Sequence, residues 1–107
     1  MKTLEHLVAP ASEYYIYSPS KVAQSMFLYP LQCGLFTYEP GYRLARRAFN
    51  SFLLMYIQKG TMQLETGGQT QTVSAGHFAL LDCYQPHAYA TGPGYTCLWL
   101  HFDGAQA

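Results

Sequence analysis

Charge is scarce in this chain. Only 11% of its 107 residues are Asp, Glu, Lys or Arg, and six basic side chains balance six acidic ones. A protein that grips nucleic acid directly needs a cationic face to displace counterions from the phosphates. Arg43, Arg46 and Arg47 form one small basic cluster with nothing to extend it, so no direct nucleic-acid contact is expected of this segment. Long apolar runs are missing as well. No stretch approaches the ~20 residues that cross a bilayer as a helix. The N-terminus has no basic region leading into an apolar one, so no signal peptide is read there. The expectations are no membrane partner and a cytoplasmic location. Cysteine is sparse: Cys33, Cys83 and Cys97 are an odd number, with no Cys-x-x-Cys among them. That argues against a disulfide framework and the usual zinc spacings, and for small buried thiols in a reducing compartment. Also absent are a convincing amphipathic helix and a Ser-His-Asp or Cys-His order with an oxyanion-hole motif. No catalytic residue is nominated.

Aromatic residues are what the chain has in quantity. They make up 16% of it, with ten Tyr, six Phe and one Trp, and hydrophobic residues reach 50%. This is the composition of a globular chain, and the length suits one domain around one core. Turn signals recur about every 8–12 residues, at Glu39-Pro40-Gly41, Lys59-Gly60, Gly67-Gly68, Ser74-Ala75-Gly76, Gln85-Pro86 and Gly92-Pro93-Gly94. Between them strands are expected at 14–17, at 26–29 and 31–38 on either side of Pro30, and at 51–58, 77–83, 87–91 and 95–102. Both parities of 51–58 are apolar, which predicts cover on both faces. Residues 61–73 read as a hairpin turning at Gly67-Gly68. That turn pairs Met62 with Val73 and Leu64 with Gln71, and leaves Glu65 and Thr70 on the other face. By alternation Trp99 shares a face with Cys97 and His101, and Tyr89 with His87. The pattern is that of an antiparallel sandwich or barrel.

Two glycine-framed segments sharpen this. One runs Gly41, five residues, Arg47, one residue, Phe49, three residues, Leu53, six residues, Gly60. The other runs Gly76, five residues, Asp82, one residue, Tyr84, two residues, His87, three residues, Thr91. The spacing resembles the two signature motifs of the cupin superfamily. The resemblance implies an all-β fold, a cupin-like double-stranded β-helix or jelly-roll barrel. In that family the positions of Arg47, Phe49 and Leu53 usually hold His, His and Glu, and the His87 position supplies the fourth metal ligand. Only His87 keeps a ligand here, and one imidazole holds a metal poorly. No metal and no cofactor are expected. The frame also implies that Arg47 points inward, offering a rigid fork of donors to hydroxyls or a carboxylate. The alternative is a rim Arg paired with Glu39 or Asp82, and Arg46 competes for the role if the register slips by one. His87 would bond a ligand hydroxyl, or else backbone after Pro86. Phe49 would add an apolar wall.

The stretch 47–104 is similar to the N-terminal domain of AraC-family transcription regulators. The likeness lies in Tyr56-Ile57-Gln58-Lys59-Gly60, in Gly76, in Leu80-Leu81-Asp82-Cys83-Tyr84-Gln85-Pro86-His87-Ala88-Tyr89, and in Leu98-Trp99-Leu100-His101-Phe102-Asp103-Gly104. It implies a barrel that binds a small-molecule effector, often a sugar, without catalysis. Trp99 would then stack on the ligand ring, with Tyr89 and His101 on the same lining. In the family, dimerising helices and a helix-turn-helix DNA-binding domain follow the barrel. They do not follow here, so the chain reads as the sensor module of a longer regulator, with DNA contact made elsewhere and a homodimer left open. The divisions expected are an arm or leading strand at 1–25, the barrel at 26–104, and the start of a linker at 105–107. His77 stands where the family more often has Asp, which puts the turn geometry in question. Two other readings stay open: a metal-dependent cupin enzyme, isomerase or dioxygenase, and a structural dimerisation barrel with a plugged interior.

Overall fold

The computed structural model describes residues 7–9, 12–16 and 28–104. Every regular element among them is a strand: β1 (Glu13–Ile16), β2 (Tyr29–Tyr38), β3 (Arg43–Arg46), β4 (Phe52–Thr66), β5 (Gln69–Ser74), β6 (Phe78–Asp82), β7 (His87–Ala90) and β8 (Tyr95–Asp103). All pairings are antiparallel. The expected all-β jelly roll is what forms.

The long strand β4 belongs to two sheets. Its first half pairs with β6 and β8, and its second half with β5 and β7. One sheet therefore runs β1-β2-β8-β4-β6 and the other β3-β7-β4-β5. The chain crosses between them at Lys59-Gly60. There the β4–β8 register shifts after Ile57 and Gly60 takes a φ of 79°. A Cβ on Gly60 would run into the Gly94 carbonyl, so this bend needs glycine for both conformation and space. Thr91 ties the bend down. Its hydroxyl donates to the Thr61 carbonyl at 2.7 Å and accepts from the Gly94 amide at 2.9 Å.

The hairpin β4–β5 has the expected register, Met62 opposite Val73 and Leu64 opposite Gln71. Pro30 does not end a strand as expected. It lies within β2, beside a register shift between Pro30 and Gln32 that accommodates its missing N–H. The strand β3 was not expected. The turn at Gly76-His77 closes without Asp, through the His77 amide on the Ser74 carbonyl at 3.2 Å. Of the segment 1–25, β1 pairs with β2 from Glu13 opposite Leu35 to Ile16 opposite Gln32. Val8 bridges to Tyr38, and the Thr37 amide bonds the Ser12 hydroxyl at 2.8 Å. The rest of that segment, residues 26–27 and the linker at 105–107 lie outside the described residues.

Inward positions alternate along the strands and make one core. Leu53, Met55 and Ile57 of β4, Leu81 of β6 and Cys97 of β8 are all essentially inaccessible. Burying a large aliphatic side chain of this kind stabilises by about 1.5–3 kcal/mol. Phe52, Leu54 and Tyr56, the opposite parity of β4, are only half-buried, so cover on both faces is not observed among the described residues. These side chains shield one another across the outer surface instead. Phe52 stacks on Phe102 at 5.8 Å, and Tyr56 meets Phe78 at 4.7 Å. Phe78, Leu80 and Leu98 remain exposed beside them.

Candidate functional site

Two rungs of the larger sheet carry the site. In one, Gln32, His101 and Leu53 lie side by side; in the next, Gly34, Trp99 and Met55. Opposite residues in antiparallel strands face the same way, so each rung presents its side chains to the interior together. The facing sheet offers Arg46 opposite His87 and Leu44 opposite Tyr89. Between the sheets is a cavity of about 180 Å³, lined from β8 by Trp99 and His101, from β3 by Arg46 and from β7 by Tyr89. Leu53 and Met55 come from β4, Phe36 and Tyr38 from β2, and Tyr14 from β1. Gly34 makes the indole possible. A Cβ there would sit 2.5 Å from the Glu13 carbonyl oxygen and 2.7 Å from Trp99 Cζ2.

Ring contacts run almost continuously around this space. Tyr38 stacks on Tyr95 with centroids 4.5 Å apart, and Phe36 meets Trp99 edge-on at 5.1 Å. Trp99 in turn meets His101 at 5.5 Å, and His101 meets Phe49 at 4.8 Å. The Arg46 guanidinium lies over the Phe49 ring at 4.5 Å. Such edge-to-face and cation–π contacts fix side chains in place at about 0.5–1.5 kcal/mol each, so the cavity walls are set before any ligand arrives.

The polar atoms are few and distinct. His101 Nδ1 and the buried Ser51 hydroxyl are 2.7 Å apart. Burial first, then the nearby Arg46 and His87, push the His101 imidazole down to about 4. It is neutral at physiological pH, with Nε2 left for a ligand. Burial likewise holds the Tyr38 phenol well above its usual range, so that group stays a neutral hydroxyl. Trp99 Nε1, a donor only, is buried without a hydrogen-bond partner among the described residues. His87 Nδ1 lies 2.9 Å from the Gln85 carbonyl, to which it must donate. Its Nε2 is buried without a hydrogen-bond partner among the described residues.

Of the residues expected at the site, Tyr89, Trp99 and His101 line the cavity together. Phe49 is half-buried and stands behind His101 and under Arg46. His87 is buried but reaches a neighbouring groove rather than this cavity, and its Nδ1 takes the backbone bond read as the alternative. Arg47 corrects the expectation most clearly. It is exposed, in the bend after β3, and Arg46 lines the cavity in its place. The strand ends at Arg46 with its alternation set by β7, so inward parity falls one residue early. Tyr42, Tyr38, Phe36 and Gln32 also line the cavity and were not anticipated. The alternation of Gln32, Phe36 and Tyr38 along 32–38 was legible, but not that this face looks onto the same space as Trp99.

A metal does not fit these donors. Among the described residues no group of three or more His, Cys, Asp or Glu is placed to hold one. The four frame positions carry Arg47, Phe49, Leu53 and His87, only one of them a ligand type, whereas metal sites take three or four.

An all-strand, two-sheet antiparallel barrel with a walled interior is the cupin architecture, and solved cupins superpose on it. A cupin superfamily protein from Desulfitobacterium hafniense matches with a TM-score of 0.63 at 16% identity, over 94% of this chain and 82% of that one. The Cupin_2 domain of an XRE-family transcriptional regulator from Enterobacter cloacae matches with 0.61 at 13% identity, over 85% and 95%. An HTH_3-family transcriptional regulator from Vibrio cholerae matches with 0.66 at 12% identity, over 94% of this chain and 54% of that one. At these identities the likeness carries the fold. No curated protein matches the chain. The family comes from the sequence: the AraC-like ligand binding domain matches residues 29–107, and the chain belongs to that family.

Proposed function

We propose that this chain is the effector-sensing domain of a transcription regulator. It binds a small polar ring compound, a sugar or sugar derivative, without transforming it. The observation that carries this reading is the cavity between the sheets, with its preset aromatic walls and a handful of polar atoms. At about 180 Å³ it lies below the ~300–1,000 Å³ typical of drug-sized sites, which suits a single ring and excludes a dinucleotide. Trp99 and Tyr89 supply ring faces, Arg46 and His101 polar contacts, and Phe49 holds both of the latter in position. Open space beside Trp99 favours a receptor over a plugged structural barrel, and the donor set offers nothing for a metal-dependent enzyme.

Tyr14 suggests the output. It lines the cavity from β1, a four-residue strand paired, among the described residues, with β2 alone. A ligand that touches Tyr14 shifts the population of docked β1, and that shift reaches a DNA-binding domain elsewhere in a longer protein. The exposed apolar face around Phe78, Leu80 and Leu98 supports pairing of two copies, and three free thiols suit the cytoplasm. Trp99 is the only tryptophan, so its fluorescence is a built-in reporter. Titration with a panel of monosaccharides and their derivatives should quench or shift it saturably, unchanged by Arg47→Ala and weakened about tenfold by Arg46→Ala. Equal losses in both variants would remove Arg46 from the site, and release of a chemically altered compound would overturn the non-catalytic reading.

A further inference from the structure

The charge balance of the cavity goes further than its shape. Among the described residues that line it there is no Asp or Glu, and Arg46 carries the single formal charge. Arg46 has no acidic partner among the described residues, whereas Arg43, on the outer face of the same strand, pairs with Glu65 at 3.4 Å. Among the described residues it lies against an aromatic ring, Phe49, which orients the guanidinium and neutralises nothing. A half-buried cation without a counter-ion keeps a positive potential in a space where screening is weak. Two of the hydrogen-bonding groups lean the same way. Arg46 and Trp99 Nε1 can only donate, and Trp99 Nε1 is buried with no acceptor. A neutral polyol needs acceptors for its own hydroxyl protons; among the described lining residues these are tyrosine hydroxyls, the Gln32 amide and His101, and none is a carboxylate.

We infer that the effector is a single-ring compound carrying a carboxylate, which pairs with Arg46 while the ring lies against Trp99 and Tyr89. This rests on the sensor reading above and names the chemistry of its ligand. A carboxylate matches the planar fork of arginine with two parallel hydrogen bonds, and a second acceptor on the ring can satisfy the indole N–H. Two sources share this chemistry, a sugar acid and an aromatic acid. The aromatic walls alone do not separate them, because the C–H face of a sugar ring and a benzene ring both pack on indole.

Matched pairs make the test. The 107-residue chain is titrated with glucuronate against glucose, galacturonate against galactose, and benzoate and 4-hydroxybenzoate against benzyl alcohol, by Trp99 fluorescence and calorimetry. The inference expects at least one acid to bind about tenfold or more tighter than its neutral partner, with affinity falling as salt rises. The arm in which this occurs identifies the source. Arg46→Gln should bring acid and neutral partner to within about twofold, and Arg46→Lys should keep part of the preference, since charge remains while the fork is lost. Unchanged urea midpoints show that both variants fold. Neutral sugars binding as tightly as their acids would overturn the carboxylate and leave the sensor reading standing. Acids that retain their preference in Arg46→Gln would overturn the assignment to Arg46. Absence of binding in every acid arm would sink the inference, and absence in the neutral arms too would sink the sensor reading with it.

Discussion

Lowering the pH should destabilise this domain through one histidine. His101 is buried, bonded to Ser51 through Nδ1, and held at about 4 by burial and by the nearby Arg46 and His87. In the unfolded chain it titrates near the ordinary value of about 6.5. The folded value is the lower one, so between the two the unfolded state binds more protons and stability rises with pH. The contribution is complete above about pH 6.5 and is lost as the pH falls toward 4. Integrating the linkage gives a loss of about 2 kcal/mol between pH 7.5 and 5, approaching about 3 kcal/mol at pH 4. That is a large share of the 5–15 kcal/mol typical of a domain. Urea titrations at pH 7.5, 6, 5 and 4.5 measure it directly, because a shift in midpoint at constant slope is a change in stability. The control is His101→Gln, whose amide can still bond Ser51 but does not titrate. It should lose stability at pH 7.5 and show a flatter pH profile below 6.5. A wild-type midpoint that stays level from pH 7.5 to 5, or an equally steep fall in His101→Gln, would refute the assignment.

Other outcomes follow from packing alone. Gly34→Ala should lower stability by about 1–3 kcal/mol through overpacking and shift Trp99 emission, because the added methyl collides with both the indole and the β1 backbone. A spectrum and midpoint identical to wild type would show that β1 and the indole move aside freely. Thiol labelling of the native protein should modify Cys33 fast and the other two only on unfolding. Cys33 is exposed, whereas Cys83 and Cys97 are inaccessible, and burial pushes their thiols up to about 11 and about 12. Rapid native labelling of two or three thiols per chain contradicts that placement.

What the sequence disclosed, and what it hid, divides along strand length. The β8 strand runs nine residues, Tyr95–Asp103, long enough for strict alternation to put Tyr95, Cys97, Trp99 and His101 on one buried face. A reader of the sequence needs nothing else to group Trp99 with His101. The hairpin β4–β5 was equally legible, because Gly67-Gly68 marks its centre and a two-residue loop fixes the register. The four residues of β3 offer neither help. Arg43-Leu44-Ala45-Arg46 has one large apolar side chain, no turn that sets its phase, and a second arginine, Arg47, directly after its end. A slip of one position turns every side chain to the other face, so Arg46 and Arg47 exchange roles on information the segment does not contain. That information lies 41 residues away, in the pairing of Arg46 with His87 and Leu44 with Tyr89. Since β7 turns His87 and Tyr89 inward, β3 must turn Arg46 inward too. Arg46 is therefore a property of the sheet rather than of the strand that bears it. Its lack of an acidic partner among the described residues has the same origin, because Glu65, opposite Ala88 on the next strand, has the outward parity and pairs with Arg43.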